Sequence, residues 1–202
     1  MDRESRTLVD NSLFDKEKLR SEILMRRNES SPEHMADADG ARTARTLSEL
    51  KKLSPHVVAC YVSAGSEPGT LDLLAELAEW GLEVLLPWLG EDPSPMWAPW
   101  AGEPMVMGPH SIPMPSSPPL SSGVLNRADV VILPGLAGTK TGVRLGRGGG
   151  WYDRALVDVR CPRWLLLNDC EVVPTLPHDP WDQPVTTLIT EHRRITCESA
   201  NA

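Results

Sequence analysis

Short apolar runs alternate with amphipathic stretches through the middle of the chain. Residues 57–62 form an apolar run bounded by Pro55 and Gly65, residues 70–80 carry leucines at helical spacing, and residues 83–87 form a second apolar run. A short apolar run between Pro or Gly residues is typical of a buried strand, whereas the leucine spacing predicts a helix. Strand, helix and strand in direct succession predict a βαβ unit with its two strands parallel.

Three later apolar runs predict further buried strands. They cover residues 129–134, 163–167 and 185–190. Residues 88–122 are rich in Pro, Gly, Ser and Met, and we predict long loops and edge hairpins there. A helix is predicted to begin near Tyr152, after a glycine-rich segment that follows the strand at 129–134.

The N-terminal part of the chain predicts two helices. From Asp15 onward, apolar residues recur on one helix face. A second helix is predicted from Ser31 to about residue 52, because Pro32 suits the first helical position. Residues 1–12 and 193–202 are polar and lack periodicity, so we predict a disordered tail at the start and a polar tail at the end.

Together these elements predict one α/β domain over residues 13–192. It should have three layers, with a mostly parallel central sheet and helices on both faces. A chain of 202 residues suits one such domain and can bury a sizeable core without disulfide bonds. The sequence has no internal repeat that would indicate a second unit.

Charge and cysteine content narrow the possible function classes. A net charge of −8 argues against binding nucleic acid through the overall field of the protein. The four cysteines form no CxxC pair and lack metal-ligand spacing, so free thiols are expected. The N-terminus has no apolar signal-peptide core, and no apolar run approaches the length of a membrane span. We therefore expect a soluble, cytoplasmic protein that binds neither nucleic acid nor membrane.

The segment GVRLGRGGGWYDR, residues 142–154, is the most informative about function. It lies between a predicted strand and a predicted helix, where α/β folds bind ligands. Its glycines allow main-chain N–H groups to approach a phosphate, and Arg144 and Arg147 could pair with phosphate oxygens. Asp153 could hold a Mg²⁺ ion that bridges the phosphates.

Other interpretations of this segment are weaker. It is not a Walker loop, because no Gly-Lys-Ser/Thr follows, and it does not match the GxGxxG dinucleotide fingerprint. A flexible surface turn would also explain glycines between two elements. Glycines interleaved with arginines and followed by Tyr-Asp-Arg favour phosphate binding over that turn.

The run RLGRGGGWYDR resembles the signature RLGxGxGYYDR of the 5-formyltetrahydrofolate cyclo-ligase family, with Trp151 in place of the first Tyr. Near the N-terminus, KEKLR at residues 16–20 is similar to the family's KxxLR. Tyr61 with EPGT at residues 67–70 resembles its Tyr…Glu-x-x-Thr segment. The resemblance continues through residues 171–190, which are similar to the pattern DEV…HDxxV…T.

This resemblance implies an enzyme that converts 5-formyltetrahydrofolate and ATP into 5,10-methenyltetrahydrofolate, ADP and phosphate, with Mg²⁺ required. ATP would phosphorylate the formyl oxygen, and N10 of the folate would then attack the activated carbon as phosphate departs. The protein would contribute positioning and charge neutralisation. The implied partners are the folate substrate and ATP, and a monomer is expected.

The same resemblance implies three groups of site residues. The nucleotide would be bound by Lys16, Arg20, Arg144, Leu145, Gly146, Arg147, Gly148, Gly149, Gly150, Trp151 and Tyr152. The folate would be bound by Val62, Glu67, Gly148, Gly149, Gly150, Trp151 and Tyr152. Asp153 and Asp182 would share the Mg²⁺ ion, and Arg147 and Tyr152 would act in catalysis.

Two groups of residues also have a purely structural interpretation. Without the resemblance, Lys16 and Arg20 would be taken as a solvated basic face of a helix. Three tryptophans could line a pterin site, but packing of the loops is favoured for them; they are Trp88, Trp97 and Trp100.

One departure from the family pattern supports a different class of function. The family usually has Phe-Asp where this chain has Gly138-Thr139, so a carboxylate beside the phosphate loop is lost. The alternative is therefore a non-catalytic relative that binds folate or nucleotide as a regulatory protein. Another phosphotransfer enzyme on the same kind of sheet is a weaker possibility.

Overall fold

The computed structural model describes residues 3–90 and 94–198. Its helices are α1 (Arg3–Glu29), α2 (Pro32–Leu53), α3 (Leu71–Glu79) and α4 (Trp151–Ala155), with 3-10 turns at Pro109–Ser111, Ser122–Arg127 and Asp169–Glu171. Its strands are β1 (Val57–Ala59), β2 (Glu83–Trp88), β3 (Met96–Trp100), β4 (Val106–Met107), β5 (Pro113–Met114), β6 (Val130–Pro134), β7 (Ala137–Gly138), β8 (Arg144–Leu145), β9 (Arg163–Leu166), β10 (Thr187–Ile189) and β11 (Arg194–Thr196).

Local chemistry sets the ends of α2 where the sequence predicts them. The Ser31 hydroxyl accepts a hydrogen bond from the N–H of His34 at 3.2 Å. Pro32 occupies the first turn of the helix, where an N–H would have no partner within the helix, so proline costs no hydrogen bond there. The helix stops at Ser54, whose left-handed φ of 51° turns the chain into β1.

Seven strands form the central sheet in the order β11-β10-β9-β6-β1-β2-β3. The five inner strands run parallel to one another, and the two edge strands, β3 and β11, run antiparallel to the inner strands that they pair with. Each inner strand coincides with one of the predicted apolar runs. The region 88–122 contributes β3 and the β4–β5 hairpin. The prediction of a mostly parallel sheet is confirmed.

Strand side chains alternate between two apolar clusters, one on each face of the sheet. On one face, Val58 packs with Leu50 of α2 and with leucines of α3. On the other face, Val131 and Leu165 pack with Ala155 of α4. Helices therefore cover both faces, as the three-layer prediction requires.

The predicted tails are wrong where the structure describes them. Helix α1 begins at Arg3, so residues 3–12 are helical rather than disordered. No Gly or Pro interrupts residues 3–29, so nothing in the sequence prevents the helix from extending upstream of Asp15. At the other end, residues 194–196 form β11, which pairs with β10. The sequence did not predict this strand, because backbone hydrogen bonds hold an edge strand and a polar sequence does not reveal them. Residues 1–2 and 199–202 lie outside the described part.

The four cysteines are free thiols, as predicted. Among the helices of the described residues, none combines the length and apolarity needed to cross a membrane.

Candidate active site

Four segments meet at the C-terminal edge of the parallel strands. They are the loop after β1 (residues 60–70), the glycine-rich loop after β8 (residues 146–150), the part of α1 that carries Lys16 and Arg20, and the loop at residues 177–183. Helix α1 reaches this edge because Ile23 packs against Leu145 of the β7–β8 hairpin. Binding sites of parallel sheets lie at this edge.

The glycine-rich loop has a backbone that requires glycine at two positions. Gly148 and Gly150 have φ values of +101° and +62°, in the left-handed region. A Cβ atom at Gly148 would lie 3.4 Å from Cζ of Arg20, whereas one at Gly149 would meet nothing within 4 Å. Because α4 has only five residues, the loop backbone rather than a helix dipole is what this segment offers to a phosphate.

Arg20 joins helix α1 to this loop. Its Nε donates a hydrogen bond to the carbonyl oxygen of Gly146 at 2.9 Å. The guanidinium therefore lies against the loop, with Gly148 above it. The structure brings Arg20 and the predicted nucleotide loop together, although they are far apart in sequence.

Arg147 and Glu67 form an ion pair across the two loops. Arg147 Nε lies 3.1 Å from Glu67 Oε1, and the Arg147 side chain is 50% exposed whereas that of Glu67 is 13% exposed. The N–H of Ala64 donates to Glu67 Oε2 at 3.0 Å, and the Tyr61 hydroxyl donates to the Pro68 carbonyl at 2.7 Å. A fixed carboxylate and a half-exposed guanidinium thus face each other, one from each predicted binding loop.

Arg144 and Asp153 form a second ion pair, which is more buried. Arg144 Nη2 donates to Asp153 Oδ1 at 2.8 Å, and the Arg144 side chain is 4% exposed. The guanidinium also lies over the ring of Tyr152, 5.8 Å from its centroid. Both charged residues were predicted to bind ligands, yet here each is the partner of the other. Arg144 is therefore placed to orient Asp153 and Tyr152.

Three aromatic rings pack where the glycine-rich loop enters α4. The Trp151 and Tyr152 rings are 4.9 Å apart, and Trp97 of β3 lies 5.5 Å from Trp151 and 6.3 Å from Tyr152. Burial raises the pKa of Tyr152 well above its ordinary value, and the charge of Glu67 raises it further. Tyr152 therefore remains a neutral phenol at physiological pH and can donate a hydrogen bond.

Lys16 is held by two carboxylates from the loop at residues 177–183. Its Nζ lies 2.6 Å from Asp179 Oδ2 and 3.0 Å from Asp182 Oδ2, and its side chain is 8% exposed. Burial alone would lower the pKa of Lys16, but its hydrogen bonds to both aspartates and their charges raise it above the ordinary value. Lys16 is therefore a positively charged residue in the site. Asp179 was not among the predicted site residues.

The loop that carries Asp182 contacts Asp153, the other carboxylate predicted to bind Mg²⁺. The N–H of Gln183, the residue after Asp182, donates to Asp153 Oδ1 at 3.2 Å. Within the described residues, no group of three or more His, Cys, Asp or Glu could hold a metal by itself. Asp153 Oδ2 and Asp182 Oδ1 accept no hydrogen bond from the described residues, so one oxygen of each is available. Two carboxylates completed by phosphate oxygens and water suit Mg²⁺, so the donor set fits this ion.

Two predicted contact residues have buried side chains. Val62 lies in the loop that carries Glu67, and its side chain belongs to the apolar cluster against which Tyr152 packs. Leu145, the last residue of β8, packs with Ile23 of α1, so its side chain belongs to the core and its backbone alone adjoins the loop. Their roles in binding stay predictions.

Thr139, the departure from the family pattern, closes the turn between β7 and β8. Its buried hydroxyl accepts the N–H of Val143 at 3.1 Å and lies 2.8 Å from the hydroxyl of Thr141. The substitution therefore concerns the geometry of this turn. It removes none of the contacts among Arg20, Arg147 and Glu67.

Comparison with known proteins gives one consistent family. The family model described as 5-formyltetrahydrofolate cyclo-ligase matches residues 13–191. The chain is 34% identical over 187 residues to a 5-formyltetrahydrofolate cyclo-ligase of Mycolicibacterium smegmatis, covering 89% of this chain and 95% of that protein. It is 29% identical over 182 residues to the Escherichia coli protein of the same name, covering 83% and 96%. An NMR structure of 5,10-methenyltetrahydrofolate synthetase from Aquifex aeolicus has a TM-score of 0.80 at 25% identity, covering 93% and 95% of the two chains.

Proposed function

The chain belongs to the 5-formyltetrahydrofolate cyclo-ligase family, and on that premise we propose that it converts 5-formyltetrahydrofolate to 5,10-methenyltetrahydrofolate with ATP. The products beside the folate are ADP and phosphate. The observation that carries the proposal is the ion pair between Arg147 of the glycine-rich loop and Glu67 of the loop after β1. It joins a cation proposed for the nucleotide to a carboxylate proposed for the folate, as a transfer between two bound substrates requires.

The reaction has two chemical steps. The formyl oxygen attacks the γ-phosphorus of ATP, the bond to the bridging oxygen breaks, and ADP leaves. N10 then attacks the activated formyl carbon and loses its proton, and phosphate departs with the former formyl oxygen. Since neither step needs a covalent bond to the protein, catalysis rests on alignment of the two substrates and on charge.

Cationic side chains from two segments are proposed to bind the phosphates. Lys16 and Arg20 come from α1. Arg147 comes from the glycine-rich loop, which contacts Arg20 through Gly146 and Glu67 through Arg147 itself. Arginine suits this role because its planar fork pairs with two phosphate oxygens. The open space at Gly149 allows a phosphate to approach the loop backbone.

The aromatic pair is proposed to bind the folate. The rings of Trp151 and Tyr152 offer flat apolar surface, and the neutral phenol of Tyr152 can donate to the formyl oxygen as it carries developing charge. We propose that Arg144 orients Tyr152 and Asp153 instead of touching the phosphates, because its guanidinium is buried between them.

Asp153 and Asp182 are proposed to hold Mg²⁺. When bound, the ion would neutralise charge on the phosphates and orient them. The two aspartates carry compensating partners of their own, Arg144 and Lys16, which hold the carboxylates in place. The remaining oxygen of each carboxylate would supply the ligand.

The test is direct because the product absorbs light that the substrate does not. Purified protein with 5-formyltetrahydrofolate, ATP and Mg²⁺ is expected to form methenyltetrahydrofolate and to release phosphate in equal amounts, and omission of ATP is expected to abolish both. Tight binding of folate or ATP without either product would support the non-catalytic alternative.

Asp153→Asn is expected to weaken Mg-ATP binding by at least about three-fold, because a neutral amide replaces a carboxylate that faces a divalent ion. The amide oxygen can still accept from Arg144 and from the N–H of Gln183, so the fold should persist. Calorimetric titration with ATP at several Mg²⁺ concentrations measures the effect, and exposed Asp37→Asn on α2 is the matched control. Unchanged Mg²⁺ dependence in the Asp153 variant would remove that residue from the metal site.

A further inference from the structure

The Lys16 ammonium contacts two aspartates at different distances, and Asp179 is the nearer one. Asp179 Oδ2 is the nearer acceptor, at 2.6 Å from Lys16 Nζ, and Asp182 Oδ2 lies at 3.0 Å. The same oxygen of Asp182 also accepts the N–H of Asp179 at 2.9 Å. The Asp179 carboxylate is therefore the closer counter-ion of the ammonium, whereas the Asp182 carboxylate is shared.

The position of Lys16 on α1 explains why its side chain needs Asp179 for its orientation. Lys16 and Arg20 are four residues apart on one helix face, and both point at the C-terminal edge of the sheet. Arg20 is oriented by a carbonyl of the glycine-rich loop, whereas Lys16 has a long, flexible side chain and no backbone acceptor in that loop. Its direction depends on the two aspartates. An ammonium this buried also needs a nearby negative charge.

The net charge of the cluster formed by Lys16, Asp179 and Asp182 indicates different roles for the two aspartates. Lys16 contributes one positive charge and the two aspartates contribute two negative charges, so the cluster is net negative. Asp182 is one of the carboxylates proposed for Mg²⁺, which would balance that charge, and its Oδ1 is available for it. Asp179 has no such second role, so it can pair with Lys16 continuously.

We propose that Asp179 is a positioning residue of the nucleotide site, which holds the Lys16 ammonium toward the phosphates and so lets Asp182 serve the cation. This inference rests on the proposed function, because it assumes that Lys16 contacts ATP. Asp179 itself touches neither substrate. Its effect on binding therefore passes through Lys16.

A double-mutant cycle on Lys16 and Asp179 tests this dependence. Affinity for Mg-ATP is measured by calorimetry without folate in four proteins: wild type, Asp179→Asn, Lys16→Met and the double variant. Asp179→Asn is expected to weaken ATP binding roughly ten-fold in the wild-type background, as loss of an orienting partner commonly does. In the Lys16→Met background the same change is expected to matter less than about two-fold.

Two further measurements distinguish positioning from general stability. KM for ATP is expected to rise in Asp179→Asn while KM for the folate stays unchanged, and Asp179→Glu, which restores the charge, is expected to recover most of the affinity. Asp37→Asn serves as the control for loss of an aspartate elsewhere. An undiminished effect of Asp179→Asn in the Lys16→Met background would overturn the inference while leaving the proposed function intact. Absence of ATP binding by the wild-type protein would instead refute the proposed function and the inference with it.

Discussion

Replacing Glu171 by alanine is expected to lower the free energy of unfolding by about 3–5 kcal/mol. Glu171 accepts two hydrogen bonds from Arg27, at 2.6 and 2.7 Å, and the two side chains are 5% and 2% exposed. The substitution leaves the guanidinium buried without its counter-ion, and it also removes the acceptor for the N–H of Asn168. For a domain of this size the melting temperature should fall by roughly 6–20 °C. Urea and thermal unfolding measure the change.

An exposed ion pair of the same length supplies the control. Arg127 Nη2 lies 2.6 Å from Glu83 Oε2, but these side chains are 55% and 35% exposed. Because water screens that pair, Glu83→Ala is expected to cost less than about 1 kcal/mol. Removing both charges of the buried pair, as in Arg27→Met with Glu171→Met, should cost less than Glu171→Ala alone, because no charge is then left unpaired. Equal losses for Glu171→Ala and Glu83→Ala would contradict the argument from burial.

Much of this architecture could be predicted from local sequence. The five inner strands are short apolar runs, and their burial on both faces of the sheet gives each one a continuous signal. The family resemblance carried by RLGRGGGWYDR is confirmed by the match over residues 13–191. Both results depend on residues that are neighbours in the chain.

The partners of the charged residues could not be predicted in the same way. Arg144 and Asp153 were each assigned to a ligand, because their types suit phosphate and Mg²⁺ when considered alone. The fold also pairs the two side chains with each other, with Arg144 Nη2 2.8 Å from Asp153 Oδ1. Asp179 gave no signal at all, since its partner Lys16 lies 163 positions away. Contacts between distant segments are set by the packing of α1 and the loops, which no local pattern encodes.

Trp97 illustrates the same limit for an apolar residue. From the sequence it was one of three tryptophans in a Pro-rich region, with packing favoured over binding. Its fully buried ring does pack, but against Trp151 and Tyr152 of the proposed site. A packing residue can thus support a binding surface, and its position in β3 decides which surface that is.

Arg147→Ala is expected to lower kcat/KM for ATP by roughly ten- to a hundred-fold, the equivalent of losing a charge-assisted contact of about 1.5–3 kcal/mol. Arg147 is half exposed and contacts Glu67 through Nε. A phosphate that enters the site can therefore recruit the guanidinium without first uncovering a buried group. Arg147→Lys keeps the charge but loses the planar fork, so intermediate activity is expected.

The comparison that decides the role of Arg147 uses an arginine at the opposite edge of the sheet. Arg160 is exposed and precedes β9, and Arg160→Ala is expected to change kcat/KM by less than about two-fold, as surface substitutions usually cost under roughly 0.5 kcal/mol. Both variants should melt within a few degrees of wild type, because neither arginine is buried. If Arg147 only stabilised a turn, its alanine variant would behave like that of Arg160. Wild-type kinetics for Arg147→Ala, with an unchanged melting temperature, would remove Arg147 from the nucleotide site and favour the non-catalytic alternative.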